Sequence, residues 1–418
     1  MGQPKGAMLF SYIFHIPLVL GKMTWYTAQN SNLFLRTQDM NKPLQFFEAT
    51  AIVTGYGIGG GVMTIPFLAS HTGWLPLLIY LPLGFGISVL MHLMVADMML
   101  RDGQARQLIQ VIRKSLEGGR LAFLIWLFFG GIFFAFVTSL SAYIAGGGHI
   151  LAELFSIPGW VGNLLFYLAA AGVMAFGLKA IGVSEKFAVA GIGVFVLVFA
   201  TASLAKPFDL PAPVSGDITD HLALFGMIMF SFFALFSVPQ VVQGLSHEPR
   251  LIPRAIFTGI AINGVIILVL VLLTLGLGKN IDEVAIITLG RALGNWAYLL
   301  GSLFILLAML TSYWAISLAL SDIIQEQFSW HHGICWALAT LPGLALVYLG
   351  TDNFLSLLEL AGGAIGLIIG IGIVPVYRAV IKGQPESSKD VNLGFLESPI
   401  CQIIIVAGFL LMAAGALL

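Results

Sequence analysis

Charge is scarce in this chain: Asp, Glu, Lys and Arg make up 9% of its 418 residues, far below the quarter or so usual in soluble domains. A water-facing surface could not be built from so few ionised groups, which excludes an ordinary soluble fold. Cysteine is scarcer still. The two present, Cys335 and Cys401, lie within or beside apolar stretches and make neither a disulfide framework nor a metal pattern. Also missing are a zinc-type HExxH, an exposed nucleophile motif and a His/Asp cluster on one helix face, so a membrane-embedded enzyme is disfavoured. No nucleic-acid partner is expected; the net charge of −1 itself carries little information.

What remains is apolar: 59% of the residues are hydrophobic, and the few charges punctuate stretches about as long as the twenty residues that cross a bilayer as a helix. These stretches lie at about 46–70, 74–100, 121–152, 160–179, 186–205, 221–245, 254–277, 293–325, 333–350, 354–377 and 399–417. Gly73 and Pro76 supply the turn between the first two. Eleven spans of an all-α, multi-pass membrane protein are therefore expected, embedded in the lipid bilayer of the plasma or inner membrane.

Basic residues set the orientation, because cytoplasmic loops retain Lys and Arg during insertion. With the N-terminus inside, only Lys206, Lys279 and Arg291 of the nineteen Lys and Arg fall outside. An odd number of spans then leaves the C-terminus extracytoplasmic. Residues 1–45 fit this scheme poorly, since their apolar run, Ala7–Gly21, is too short to span and contains His15 and Pro17. Met40 reads as a natural start, with residues 1–39 an upstream extension.

An internal repeat is visible when the chain is shifted by 173 residues: Pro66 falls on Pro239, and Thr138-Ser139 on Thr311-Ser312. The matches divide the chain into residues 46–205 and 206–380, five spans each and inverted across the membrane plane. Residues 381–418 form a loop and one peripheral helix.

The first stretch reads EATAIVTGYGIGGGVMTIPFLAS and carries five glycines between Gly55 and Gly61. The sixth reads MIMFSFFALFSVPQVVQG, with Pro239 at the matching place. Unpaired backbone groups are costly in hydrocarbon, so an unwound segment persists where it lines a cavity or binds a ligand. Freed N–H groups and the positive end of a half-helix suit a carboxylate; freed carbonyls suit a cation. The plainer reading of these glycines is close helix packing. A run of five opposite a matching proline favours a binding site.

Four motifs in order, GIGGGVMTIP in the first stretch, SAYIAGGGHIL in the third, SFFALFSVP in the sixth and MLTSYWAISLALSDII in the eighth, resemble the hydroxy- and aromatic-amino-acid permeases. These belong to the amino acid/polyamine/organocation superfamily. The resemblance spans most of residues 46–380 and implies the LeuT-type five-plus-five fold and ion-driven amino acid uptake. It implies that Tyr56, Gly57, Ile58, Gly59, Gly60 and Gly61, with Ser231, Phe232, Phe233 and Leu235, meet the substrate's amino and carboxylate groups, and that Tyr143 closes over them. The family's usual glycine-aromatic-histidine-glycine run in the sixth stretch is replaced here by Phe233, Ala234, Leu235 and Phe236. The side-chain pocket is therefore more apolar, suited either to a hydrophobic or aromatic amino acid or, if the large side chains shrink it, to a small one.

For the coupling ion the resemblance points to Thr311 and Ser312, facing carbonyls near Val53 and Tyr56, as a Na⁺ site of hard oxygen ligands. The plainer alternative is that the two hydroxyls bond their own helix. Proton-coupled relatives place a lysine in the fifth stretch, where this chain has Ile192. Either Na⁺ or H⁺ remains open. Glu359, in the tenth stretch, is the intramembrane acid with no basic partner in the first, a candidate for an outer gate or a proton carrier. His92 and His149 read either as proton relays or as hydrogen-bonded packing residues. The composite expectation is a secondary transporter importing a neutral amino acid by symport, with an uncoupled facilitator or a transporter-like sensor as alternatives.

Overall fold

In the computed structural model, residues 44–103, 108–117, 119, 122–175, 178–350, 353–383 and 391–417 are described. The expectations about residues 1–43, including a start at Met40, lie outside them. From Leu44 onward the chain forms one unit. Every regular element among the described residues is helical.

The first apolar stretch makes two helices, α1 (Phe46–Gly57) and α2 (Gly60–Thr72). Glu48 starts α1 by accepting the Gln45 backbone N–H at 3.2 Å, half of a capping box. Between the helices, only Ile58 and Gly59 leave the helical path, and the axis turns by 53°. The break is thus narrower than the glycine run: Gly55 and Gly57 are still helical, and Gly60 opens α2. Pro66 sits inside α2 rather than in the break. The turn to α3 (Trp74–Asp102) requires glycine at 73, where φ is +86° and a β-carbon would meet the Ala212 carbonyl oxygen at 2.5 Å.

A nine-residue amphipathic helix, α4 (Leu108–Leu116), precedes the long α5 (Phe123–Phe155). Then come α6 (Gly159–Ala175) and α7 (Leu178–Ser203). The sixth stretch is α8 (Ile218–Ser231), an irregular turn, a 3-10 segment Leu235–Ser237 and α9 (Val238–Gly244). Asp217 caps α8, accepting from the Thr219 hydroxyl at 2.6 Å and from the N–H groups of Thr219 and Asp220 at 2.8 and 3.1 Å. The Thr219 hydroxyl first, and these N–H groups with it, hold the Asp217 carboxyl below its ordinary range. Pro239 lies in the first turn of α9, where its missing N–H costs least. Next are α10 (Leu251–Leu277), a second nine-residue helix α11 (Ala285–Leu293), α12 (Asn295–Phe328), α13 (His332–Tyr348), α14 (Phe354–Gly383) and α15 (Pro399–Leu417). Among the described residues, seven helical segments are long and apolar enough to cross a membrane, with Ile218–Gly244 counted as one, or eight with the bent α1/α2 pair taken as one span; 159–172, 190–203 and 332–348 are shorter apolar helices.

Hydrogen bonds sort these helices into two groups. Leu44 N–H donates to the Gly244 carbonyl at 2.9 Å, joining the start of α1 to the end of α9. Ser215 N–H to Thr72 and Leu75 N–H to Pro213, both 2.9 Å, join the C-terminal end of α2 and the start of α3 to the segment before α8. The Thr54 hydroxyl reaches the Gly259 carbonyl of α10 at 3.3 Å. In the second group, the Ser141 hydroxyl of α5 donates to the Gly343 carbonyl of α13 at 3.0 Å, and Trp314 Nε1 of α12 to the Ala170 carbonyl of α6 at 2.8 Å. Glycines let α5 and α6 approach closely: β-carbons on Gly147 and Gly148 would overlap Phe166 and Asn163. The last helix, α15, runs along α14 and α8 at backbone contact.

At the end that the positive-inside pattern places in the cytoplasm, Arg101 of α3 joins Asp97 at 2.8 Å and Glu397 at 2.8 Å, while the Tyr377 hydroxyl of α14 donates to Asp97 at 2.8 Å. Asp97 is fully buried, so its charge rests on this network.

Candidate functional site

The break at Ile58–Gly59 is the meeting point of the two groups. From α12, the Ser312 hydroxyl donates to the Ile58 carbonyl at 3.4 Å. From α5, Tyr143 hydrogen-bonds to the Gly60 backbone and to the Ser312 side chain. A β-carbon on Gly59 would stand 2.5 Å from the Tyr143 hydroxyl, which is why only glycine fits beneath that ring. The glycines that follow are crowded from other sides: at Gly60 a β-carbon would meet Phe354 at 2.9 Å, and at Gly61 the Ser231 hydroxyl at 2.5 Å and Phe230 at 3.2 Å. Gly60 and Gly61 are also the first residues of α2, whose N–H groups have no partners within the helix and present a positive end.

The other broken helix faces the same place. Ser231 ends α8; its hydroxyl is buried without a partner, and its carbonyl lies 3.1 Å from where a β-carbon on Gly57 would be. That same β-carbon would overlap the side-chain amide of Asn263, on α10. Asn263 is fully buried, yet neither its amide nitrogen nor its oxygen has a partner. Leaving such groups unpaired costs about 1–3 kcal/mol each, and here the Asn263 amide nitrogen stands against Gly57 and the Ser231 hydroxyl against Gly61, within one glycine run.

The structure therefore brings together Gly57, Ile58, Gly59, Gly60, Gly61, Tyr143, Ser231 and Ser312. It sorts the remaining candidates differently. Phe232 is fully buried and turns toward α3 and α10, 6.2 Å centroid to centroid from Phe85 and against Gly264. Phe233 instead packs edge-on to Phe236, which continues onto Phe136 of α5 at 4.7 Å. Leu235 is buried in the 3-10 segment, Val53 packs on Gly259, and Tyr56 is partly buried in α1. The Thr311 hydroxyl donates to its own helix, at the Ala308 carbonyl, 2.9 Å away. Ile192, the position of the absent lysine, is buried in α7.

Glu359 stands apart from the breaks, half-buried in a narrow cleft between α8, α14 and α15. Met227 and Phe230 line the cleft, and both also lie within 3.5 Å of where a β-carbon on Gly61 would be. His149 is largely exposed and lies 3.7 Å from Glu153. His92 is a hydrogen-bonded buried residue: its Nδ1 is 2.7 Å from the Ser88 carbonyl, and its Nε2 accepts the Ala234 N–H at 2.9 Å.

Asn263 is the site residue that sequence reasoning missed. One amide in the apolar run GIAINGVIILVL was the only available signal, since a buried polar side chain in a membrane helix demands a reason.

Among solved structures, 157 chains match this fold. One is MhsT in complex with L-phenylalanine, at 16% identity and TM-score 0.63, covering 90% of this chain and 99% of that one. Another is the Eremococcus coleocola manganese transporter bound to an aromatic bis-isothiourea compound, at 14% identity and TM-score 0.65, covering 93% and 88%. A third is Mhp1, a nucleobase-cation-symport-1 transporter in a closed conformation with bromovinylhydantoin bound, at 15% identity and TM-score 0.59, covering 89% and 91%. No curated protein matches by sequence. A model of the tryptophan/tyrosine permease family matches residues 42–414, nearly the whole chain. With two broken helices facing each other in a LeuT-type fold, the protein is a multi-pass transporter rather than an enzyme, and it belongs to the tryptophan/tyrosine permease family.

Proposed function

We propose that this permease imports a neutral, hydrophobic or aromatic amino acid by Na⁺ or H⁺ symport, holding it between the breaks of α1/α2 and α8/α9. The observation that carries this reading is the set of unpartnered buried atoms on Asn263 and Ser231 aimed at Gly57 and Gly61. An α-amino acid supplies what they lack: its carboxylate accepts from the Asn263 amide nitrogen, the Ser231 hydroxyl and the N-terminal N–H groups of α2. Its ammonium group donates to the Asn263 oxygen and the Ser231 carbonyl. Tyr143 covers the break, and the Phe233, Phe236 and Phe136 rings offer an apolar wall toward α5. The ligands of two structurally similar transporters, the aromatic L-phenylalanine in MhsT and the non-aromatic ring compound bromovinylhydantoin in Mhp1, agree with a substrate of this size.

Coupling follows from the same centre. Ser312 already touches the break, and the Thr311 hydroxyl, though donating to Ala308, keeps oxygen lone pairs for a cation shared with carbonyls of Val53 and Tyr56. Glu359 is the proton-carrying alternative, in the cleft that Met227 and Phe230 also line. The topology proposed is eleven spans with the N-terminus cytoplasmic and the C-terminus extracytoplasmic. The inverted repeat is supported by the breaks themselves, because the 173-residue shift carries Ile58–Gly59 onto Ser231–Phe232, where α8 ends. The short helices α4 and α11 also occupy like places in the two halves.

Uptake of labelled Trp, Tyr, Phe, Leu, Ser and Ala into proteoliposomes, with Na⁺ and H⁺ gradients imposed separately, tests this reading. Saturable uptake of a large neutral amino acid, driven by one gradient, is the expected result. Uptake with no gradient dependence would mean a facilitator, and binding without counterflow would mean a sensor.

A further inference from the structure

A break in a membrane helix must account for each N–H group that it frees, because hydrocarbon offers none of them a partner. Around the break in the sixth stretch most of this is local: Phe232 N–H donates to Ile228 at 3.2 Å, Phe233 N–H to Phe230 at 3.0 Å, and Ser237 N–H to Ala234 at 3.0 Å. Ala234 N–H is different. It donates to a side chain of another helix, Nε2 of His92, at 2.9 Å. An N–H can only donate, so Nε2 is the unprotonated ring nitrogen and the proton is on Nδ1, where it is donated to the Ser88 carbonyl 2.7 Å away. One tautomer of a fully buried ring thereby fastens the break to α3, and both nitrogens are used. No ring position is left to pass a proton, which removes His92 from the relay candidates.

We propose that His92 is a positioning residue for transport: its neutral imidazole sets the path of residues 232–234 and so the placement of Ser231 against Gly57 and Gly61. The residue touches no substrate. It acts through the Ala234 N–H alone, and it makes α3 and the two halves of the sixth stretch move together. The transport half of its test rests on the substrate reading above; the exchange half does not.

Three variants separate this role from bulk. Gln places its oxygen near the position of Nε2 and keeps an acceptor for Ala234; Asn reaches only as far as Nδ1; Leu offers nothing. Hydrogen exchange read by mass spectrometry on the full-length protein in lipid nanodiscs should show peptides over 228–237 exchanging about tenfold or more faster in His92→Asn and His92→Leu. His92→Gln should stay within about twofold of wild type, and peptides from α5 and α6 should be unchanged in all three. For whichever labelled amino acid is transported, KM should rise about tenfold in the Asn and Leu variants with kcat within about twofold, and return toward wild type in the Gln variant. Equal exchange in His92→Asn and His92→Gln would overturn the proposal. So would protection lost across the whole chain in all three, since His92 would then be needed for folding and for nothing local. If no tested amino acid is transported, the exchange comparison decides alone.

Discussion

The side-chain amide of Asn263 occupies the space that a β-carbon on Gly57 would need. One residue comes from α10 and the other from the last turn of α1, just before the break, so glycine at 57 and the unpaired amide at 263 are one feature seen from two sides. Gly57→Ala should therefore disturb the amide before anything else. Substrate binding is expected to weaken at least tenfold while the protein still elutes as a single species. Asn263→Ala added to Gly57→Ala should recover the melting temperature by relieving the overlap, but not binding. Recovery of both by the double variant would show that the amide has no part in recognition.

A binding residue held unpaired for a ligand is a cost to the empty protein. Asn263→Leu removes two unsatisfied polar atoms from a fully buried position, worth about 1–3 kcal/mol each. The variant should melt at a higher temperature than wild type without ligand, and lose the further rise that substrate gives wild type. Thermal melts with and without the transported amino acid check both signs. A lower melting temperature in the empty variant would mean that the amide has partners of its own.

How far this centre was legible in the sequence depends on whether a signal lay along the chain or across it. The apolar stretches and the glycine run are local, and helix breaks occur in both the first and sixth stretches. The prolines are a poorer guide: Pro66 lies within α2 and Pro239 at the start of α9, each beyond its break rather than in it. Tyr143 and Ser231 were reached through motif resemblance, while Asn263 and His92 depend on which helix faces which, something neither composition nor spacing encodes. For the same reason Phe232 and Phe233, adjacent in sequence, part company, one toward Phe85 and the other toward Phe236. The two short helices α4 and α11 fell in segments read as connections.

Sodium dependence has its own test. Replacing Thr311 and Ser312 together by Ala removes two hydroxyl oxygens from beside the break and should abolish any activation by Na⁺, while Glu359→Gln should leave it intact. If transport is proton-driven, the outcomes exchange: Glu359→Gln should abolish the response to a pH gradient, and the double Ala variant should retain it. Transport assays with each gradient imposed alone distinguish the two. Retention of both responses in both variants would remove these residues from coupling.

Away from the site, Arg101 neutralises the fully buried Asp97 and extends to Glu397 ahead of α15. Arg101→Leu leaves the Asp97 carboxylate without its guanidinium and is expected to cost about 3–5 kcal/mol of stability. Pairing it with Asp97→Asn should restore much of the loss, because the buried charge is then gone from both sides. Melting temperature and yield of the folded protein measure this, and equal damage in single and double variants would contradict it.

The central claim is that the two breaks, with Asn263 and Ser231 between them, hold the transported amino acid. Counterflow of labelled L-tryptophan, L-tyrosine and L-phenylalanine into proteoliposomes containing wild-type or Asn263→Leu protein tests it most directly. Saturable counterflow of at least one of them by wild type, lost in an Asn263→Leu variant that remains folded, is the predicted result. Undiminished counterflow in that variant would contradict the claim.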